Sequence, residues 1–162
     1  MSLATVVMFV EGVLQKPDGV QALDAGVRLY RALSTSYNLV LVTEQEIKKV
    51  KHFLLMNAIS GHIDVVPLNG SSIAKGMNSL RRDGYILDFV ISPNPAVTSI
   101  LYEQGFEVLT YTSPRYARPE WRPGVTMEER SEEANTFERM AARVIRETEQ
   151  AAEDLRMRQV EK

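Results

Sequence analysis

Residues 5–14 read TVVMFVEGVL, and this stretch decides the fold. A continuous apolar run of strand type extends from Thr5 to Val10, without the alternation of polar residues that marks a half-exposed strand, so burial on both faces is predicted. The run ends at Glu11 and Gly12, where glycine favours a turn. A strand that is buried on both faces needs helices on each side of its sheet, so we expect an α/β protein.

Further strands and helices alternate along the chain outward from this stretch, with a spacing of roughly 20 residues. Strands are predicted at 39–42, 63–68, 85–91 and 106–111, and helices at 22–34, 44–56, 72–82 and 95–104. Pro67 weakens the third strand, because proline cannot donate a hydrogen bond to a neighbouring strand. The repeated order predicts a three-layer, Rossmann-like α/β domain with a five-stranded parallel sheet over residues 1–113.

Two segments of different character follow the predicted sheet. Residues 114–125 read PRYARPEWRPGV, and their three prolines predict an extended segment. Residues 126–162 contain neither glycine nor proline, which predicts one long charged helix. Its apolar side recurs at alternating spacings of three and four, as in a coiled coil. The positions on this side are Ala134, Phe137, Ala141, Val144, Thr148, Ala151 and Leu155.

The overall composition is that of an ordinary globular protein with one domain. Of the 162 residues, 44% are apolar and 25% are charged, the net charge is −2, and there is no cysteine. The low net charge argues against nucleic acid, and the lack of cysteine excludes disulfides and thiolate chemistry and fits a reducing compartment. The apolar run at 6–10 is too short for a signal peptide or a membrane span. We therefore expect a cytoplasmic protein with no membrane partner.

The ends of the predicted strands resemble the motifs of the haloacid dehalogenase (HAD) superfamily. The first strand and the Gly-Val-Leu at 12–14 are similar to the first HAD motif, Asp-x-Asp-Gly-[Thr/Val]-[Leu/Val], with Phe9 at the position of the nucleophile and Glu11 at that of the acid/base. Thr43 resembles the second motif, whose hydroxyl binds phosphate in that family. Lys75 is the nearest match to the lysine of the third motif. The resemblance implies a HAD-like fold over roughly residues 5 to 124.

The fourth HAD motif, whose acidic residues hold Mg²⁺ in that family, corresponds to the Ser-Pro-Asn-Pro at 92–95. Small HAD-like proteins encoded by bacteriophages of actinobacteria, which this chain also resembles at 113–123, are expected to have Asp-Pro-Asp-Pro there. Ser92 and Asn94 replace the two aspartates. If the resemblance extends to the origin of the chain, the host cytoplasm or the virion is the implied location.

These departures remove the groups that perform phosphoryl transfer. The reaction needs a carboxylate nucleophile, and Phe9 has no charge and no lone pair. Mg²⁺ prefers carboxylate oxygens, whereas Ser92 and Asn94 are neutral, so Glu11 and the backbone carbonyl at position 10 are the remaining weak candidates. We therefore expect a catalytically degenerate protein without a cofactor, which acts in protein interaction or assembly. The alternative is a Mg²⁺-dependent phosphohydrolase or nucleotidase with residual activity that uses Glu11 and Thr43.

Two regions are candidates for protein interaction. The segment 114–125 is rich in residue types that anchor protein interfaces, and they are Arg115, Tyr116, Arg118, Trp121 and Arg122. Its alternatives are stacking on nucleic acid and packing across its own domain, with an arginine on an aromatic ring. The long helix predicts a homo-oligomer or a protein partner held through Phe137, Val144 and Leu155, and the alternative is packing against its own domain.

Overall fold

The computed structural model describes residues 3–68, 72–116, 118–121 and 127–160. The side chains of 120, 127–137 and 158–160 lie outside this description. The chain divides into two compact units, Met1–Pro123 and Gly124–Lys162.

A five-stranded sheet forms the centre of the first unit. Its strands are β1 (Thr5–Phe9), β2 (Asn38–Thr43), β3 (Asp64–Pro67), β4 (Leu87–Ser92) and β5 (Val108–Thr110). They lie in the order β3-β2-β1-β4-β5, and every neighbouring pair is parallel. The predicted α/β class and the five-stranded parallel sheet are confirmed. Proline is tolerated in β3 because this strand lies at the margin of the sheet.

Four helices connect the strands of the first unit. They are α1 (Asp24–Ser34), α2 (Ile47–Met56), α3 (Ile73–Arg82) and α4 (Pro95–Glu103). The right-handed crossover rule, applied to this strand order, assigns α1 and α2 to one face of the sheet and α3 and α4 to the opposite face, and α3 and α4 contact each other. Because β1 and β2 lie between these two helical layers, nearly all of their residues are buried.

The first helix approaches the loop after β1 very closely. A Cβ atom at Gly26 would lie 1.6 Å from the backbone oxygen of Val13, so only glycine permits this approach. Val13 and Leu14 are themselves fully buried. The loop that carries Glu11 is therefore held against the body of the domain by α1.

The register of the sheet brings the ends of three strands to one side. Phe9 pairs with Val42, and Met8 pairs with Ile91, so the residues that follow β1, β2 and β4 lie together at what we call the carboxyl edge. The chain leaves β1 and β4 toward helices on opposite faces, and this divergence creates a crevice between the two strand ends. We call it the switch-point crevice. Doubly wound proteins commonly bind their ligands in this position.

The second unit contains the helix α5 (Met127–Val160), whose 34 residues extend about 51 Å at 1.5 Å per residue. Val144 is 61% exposed and Leu155 is 60% exposed, and the side chain of Phe137 lies outside the described residues. Arg143 and Glu147 form an ion pair at 2.9 Å on successive turns. The predicted long C-terminal helix is confirmed.

Several helix and strand boundaries differ from the prediction by one to three residues. The helix α2 begins at Ile47 instead of residue 44, because Glu46 before it has the extended backbone of an N-cap residue. The backbone N–H groups of Glu44 and Gln45 donate instead to the side chains of Glu11 and Thr43, respectively. The strand β5 has only three residues, and two of them are exposed at the margin of the sheet. Within the described ranges, no helix combines the length and the apolar character that crossing a membrane requires.

Candidate functional site at the carboxyl edge

The carboxylate of Glu11 joins the loop after β1 to the loop after β2. Glu11 is only 7% exposed. Its Oε1 accepts hydrogen bonds from the hydroxyl of Thr43, from the backbone N–H of Glu44 at 3.0 Å and from Nε2 of Gln45 at 3.0 Å. Its Oε2 is also buried and accepts no hydrogen bond from any residue that the structure describes. A single carboxylate oxygen therefore satisfies three donors at the end of β2.

Two glutamines that were not predicted from the sequence complete this network. Nε2 of Gln45 also donates to Oε1 of Gln15 at 2.5 Å, and Gln15 is 3% exposed. Nε2 of Gln15 in turn donates to the backbone oxygen of Gly19 at 3.0 Å, which holds the loop after β1. Their positions in loops next to Glu11 and Thr43 are the only sequence signal that could have identified them.

Phe9, at the position that the HAD resemblance assigns to the nucleophile, is a core residue. It is 5% exposed and belongs to the main hydrophobic cluster. Next to it, the backbone carbonyl of Val10 accepts two hydrogen bonds of 3.0 Å, from the N–H groups of Leu14 and Gln15. These bonds close the turn after β1 and occupy both lone pairs of the oxygen. Neither position presents a free oxygen to a ligand.

Ser92 and Asn94 both have structural hydrogen bonds at the end of β4. The hydroxyl oxygen of Ser92, which is fully buried, accepts the backbone N–H of Asn94 at 3.1 Å. Oδ1 of Asn94 accepts the backbone N–H of Ala96 at 3.0 Å and so caps the first turn of α4. Pro95 occupies the first position of that helix, where proline is favoured. The Ser-Pro-Asn-Pro sequence thus performs a capping function that needs no charge.

Lys75 lies in the first turn of α3, and its side chain is exposed. Its backbone N–H donates to the hydroxyl of Ser72 at 3.3 Å. Among the hydrogen bonds and ion pairs of the described residues, none joins the ammonium group of Lys75 to Glu11 or Thr43. The structure therefore brings Glu11 and Thr43 together and leaves Lys75 outside their network.

The side chains present do not fit a magnesium ion. Mg²⁺ takes hard oxygen ligands in a near-octahedral arrangement and usually needs carboxylates. Oε1 of Glu11 already accepts three hydrogen bonds, and the oxygens of Ser92 and Asn94 accept backbone N–H groups. Oε2 of Glu11 is thus the single carboxylate oxygen of these three side chains that has no partner among the described residues, and one such oxygen is a poor magnesium site. In the described part of the chain, no cluster of three or more His, Asp or Glu side chains could hold a metal ion.

The segment after β5 returns to the carboxyl edge. Trp121 ends a short 3₁₀ turn at Pro119–Trp121 and is 7% exposed. Its ring lies against Gly12, which follows β1, because a Cβ added at Gly12 would lie 2.4 Å from Cζ3 of the indole. The same Cβ would lie 2.9 Å from Cγ of Pro93, which follows β4, so Trp121 and Pro93 both approach Gly12 on this side. Gly12 also has a φ of +78°, which an L side chain rarely adopts. The indole of Trp121 therefore occupies the switch-point crevice.

Two cationic side chains lie over aromatic rings of this segment. The guanidinium of Arg118 lies 4.8 Å from the centre of the Trp121 ring and 3.6 Å from the carboxylate of Glu44. The ammonium of Lys16 lies 4.9 Å from the ring of Tyr116. Arg115 is exposed, and Arg122 lies outside the described residues. A role in partner binding stays a prediction for the five candidates of this segment, Arg115, Tyr116, Arg118, Trp121 and Arg122. Of these, Trp121 is already packed within its own unit.

Comparisons with known proteins show a likeness of fold. A scan against models of protein families finds no match, and a search of curated proteins finds none either. A chain in the solved structure of the Pnkp1/Rnl/Hen1 complex is similar, with a TM-score of 0.52 and 14% sequence identity. The likeness covers 69% of this chain and 47% of that chain, so this chain spans less than half of its neighbour. At this identity, the likeness establishes the fold alone.

Proposed function

We propose that this chain is a catalytically inactive, HAD-like scaffold that acts through protein interaction. The single observation that carries the proposal is the engagement of the Glu11 carboxylate by Thr43, Glu44 and Gln45. In the HAD resemblance, the Thr43 hydroxyl is a phosphate-binding group. Here a side chain of the protein itself takes the hydrogen bond that a phosphate would need.

Electrostatics support the same conclusion. A carboxylate and a phosphate are both anions, and like charges a few ångströms apart in a buried site repel each other strongly. A phosphate would have to displace Glu11 from three hydrogen bonds and leave its charge unpaired, which is costly in a site that excludes water. Phe9 supplies no nucleophile, so the geometry offers no route for a covalent phosphoryl step.

The long helix supports the interaction part of the proposal. Its apolar side chains include Met140, Val144, Ile145 and Leu155, all between 57% and 64% exposed. A helix of this composition has little intrinsic stability alone, since most helix stability in proteins comes from packing of an apolar face. We propose that the stripe through Val144 and Leu155 pairs with the same stripe of a second copy. A role in phage assembly is the more specific form of this proposal, and it rests on sequence resemblance alone.

An assay of turnover tests the catalytic half. The purified chain is incubated with p-nitrophenyl phosphate and with nucleoside monophosphates, with and without Mg²⁺, next to the variant Glu11→Gln. We expect no Mg²⁺-dependent hydrolysis from either protein. Mg²⁺-dependent hydrolysis by the native chain that Glu11→Gln abolishes would overturn the proposal in favour of the residual phosphohydrolase.

A measurement of mass in solution tests the interaction half. Light scattering of the full chain is compared with the double variant Val144→Asp/Leu155→Asp, because two charges on the stripe should prevent apolar pairing. Ala142→Asp places a charge on the opposite side of the same helix and is the matched control. We expect an oligomer for the native chain and for the control, and a monomer for the double variant. A native chain that remains monomeric at high concentration would contradict this half.

A further inference from the structure

The switch-point crevice contains a large aromatic side chain from a distant part of the chain. Gly12 follows β1 and Pro93 follows β4, so these two residues form the walls of the crevice. The ring of Trp121 meets both residues at this point, although several elements of the fold separate it from them along the chain. The position at which a doubly wound protein commonly binds its ligand is therefore occupied by a side chain of the protein itself, the indole of Trp121.

Trp121 is buried, although two residues of the same short turn are exposed. Arg118 and Pro119, just before it, are exposed, whereas Trp121 is 7% exposed. The backbone N–H of Trp121 donates to the carbonyl of Arg118 at 2.9 Å, which closes a turn that we call the plug turn, residues 118–121. This turn directs the side chain of Trp121 inward and leaves Arg118 and Pro119 in solvent.

Arg118, the first residue of the plug turn, makes a second contact with the domain. Arg118 contacts both the ring of Trp121 and the carboxylate of Glu44, which follows β2. Both partners of this ion pair are about half exposed, so the pair is screened by solvent and contributes little to closure. We therefore expect packing of the indole against Gly12 and Pro93 to keep the crevice closed, and the Arg118–Glu44 ion pair to add little to this.

We propose that Trp121 is a built-in plug of the switch-point crevice and that the plug turn is the element that closes it. The ring occupies the space beside Gly12, so a ligand could enter this part of the crevice only after the indole leaves. This inference goes beyond the scaffold proposal, because an enzyme with the same fold would also need to displace the ring before its substrate could bind.

The first test uses the native protein, in which Trp121 is the only tryptophan. Its fluorescence therefore reports on the plug alone. We expect blue-shifted emission and an acrylamide quenching constant several-fold below that of free N-acetyl-tryptophanamide. Red-shifted emission with a quenching constant equal to that of the free compound, in a protein that circular dichroism shows to be folded, would overturn the proposal.

The second test replaces the plug by a free ligand. Trp121→Ala should leave a slot that indole can enter, as small aromatic molecules enter engineered apolar cavities. We expect saturating indole to raise the melting temperature of this variant by about 2–4 °C and to leave the native chain unchanged. Tyr102→Ala, which removes an aromatic ring that is 79% exposed, is the control and should show no response.

Each outcome of these tests bears on the plug alone. A folded Trp121→Ala variant that indole does not stabilise would contradict a preformed slot. If that variant does not fold, the quenching measurement on the native chain decides the question. Turnover in the phosphatase assay would remove the scaffold proposal without affecting either result, so the two ideas can fail separately.

Discussion

The two halves of the carboxyl edge are closed by different kinds of contact. Between β1 and β2, the carboxylate of Glu11 is held by polar donors from Thr43 and Gln45. Between β1 and β4, an indole ring is held by Gly12 and Pro93, which offer shape and apolar surface. Closure by hydrogen bonds depends on the chemistry of one acceptor, whereas closure by packing depends on volume. Substitutions can therefore weaken one half of the carboxyl edge without affecting the other.

The largest effect is expected in the aromatic half. Gly12→Ala introduces a Cβ that collides with Trp121 and also opposes the positive φ, so we expect a loss of about 3 kcal/mol in the free energy of unfolding. Denaturant unfolding measures it. Gly84→Ala is the matched control, since Gly84 has a φ of +93° and nothing within 4 Å of the added Cβ.

The control isolates the cost of the backbone conformation, which is about 1–2 kcal/mol. The remainder at Gly12 measures the collisions of the added Cβ with the ring of Trp121 and with Pro93. In a double-mutant cycle, Trp121→Ala should remove the part of the Gly12→Ala penalty that comes from the ring and leave the part that comes from Pro93. Equal penalties at the two glycines in the native background would show that the ring does not lie against Gly12.

The next effect is expected in the polar half. Glu11→Ala leaves three donors without their acceptor, and we expect a loss of about 2 kcal/mol in the free energy of unfolding. Glu11→Gln keeps one carbonyl oxygen of the same reach, so its loss should stay below about 1 kcal/mol. Thermal and denaturant unfolding of both variants give the comparison. Similar losses for the two would mean that the negative charge, and not the acceptor, stabilises this half.

The pH dependence of the free energy of unfolding tests the opposite end of the sheet, away from the carboxyl edge. There, Nδ1 of His62 lies 2.8 Å from the hydroxyl of Tyr30, and burial lowers the pKa of His62 in the folded state while Asp64 partly opposes this. The neutral imidazole is thus favoured by folding. Its contribution to stability is present above the unfolded pKa of about 6.5 and is lost as the pH falls toward the lowered folded pKa.

We therefore expect the free energy of unfolding to decrease as the pH is lowered from 7 through 6. His62→Gln should flatten this part of the curve. A native protein that becomes more stable over the same interval would contradict the assignment of His62 as a half-buried neutral group.

The smallest effect is expected where the two halves are linked. Arg118 connects Trp121 to Glu44, but both charged groups are about half exposed. Arg118→Ala and Glu44→Gln should each cost at most about 0.5 kcal/mol, and less in high salt. A loss above 2 kcal/mol for either variant would show that the ion pair, instead of the indole, closes the crevice.

The fold could be predicted from local patterns, and the site only in part. The apolar runs and turn signals located five strands along the chain, because each run is decided by neighbouring residues, but they did not predict the order of the strands in the sheet. Motif order placed Glu11 and Thr43 at adjacent strand ends, and the structure joins them by a hydrogen bond. The sequence offered packing of the 114–125 segment across its own domain as an alternative, with an arginine on an aromatic ring, and Arg118 lies over the ring of Trp121. The contact of Trp121 with Gly12 and the roles of Gln15 and Gln45 were not predicted, because they depend on rotamers and on a chain return that no local pattern encodes.

The position of β1 in the middle of the sheet has a consequence for biosynthesis. One side of β1 pairs with β2, which is made soon afterwards, but the other side waits for β4. At ribosomal rates of about 5–20 residues per second, the interval between residues 43 and 92 lasts roughly 2–10 s. During that time an apolar strand margin remains open, and such margins are templates for aggregation. The nascent chain should therefore need protection by chaperones until β4 has emerged.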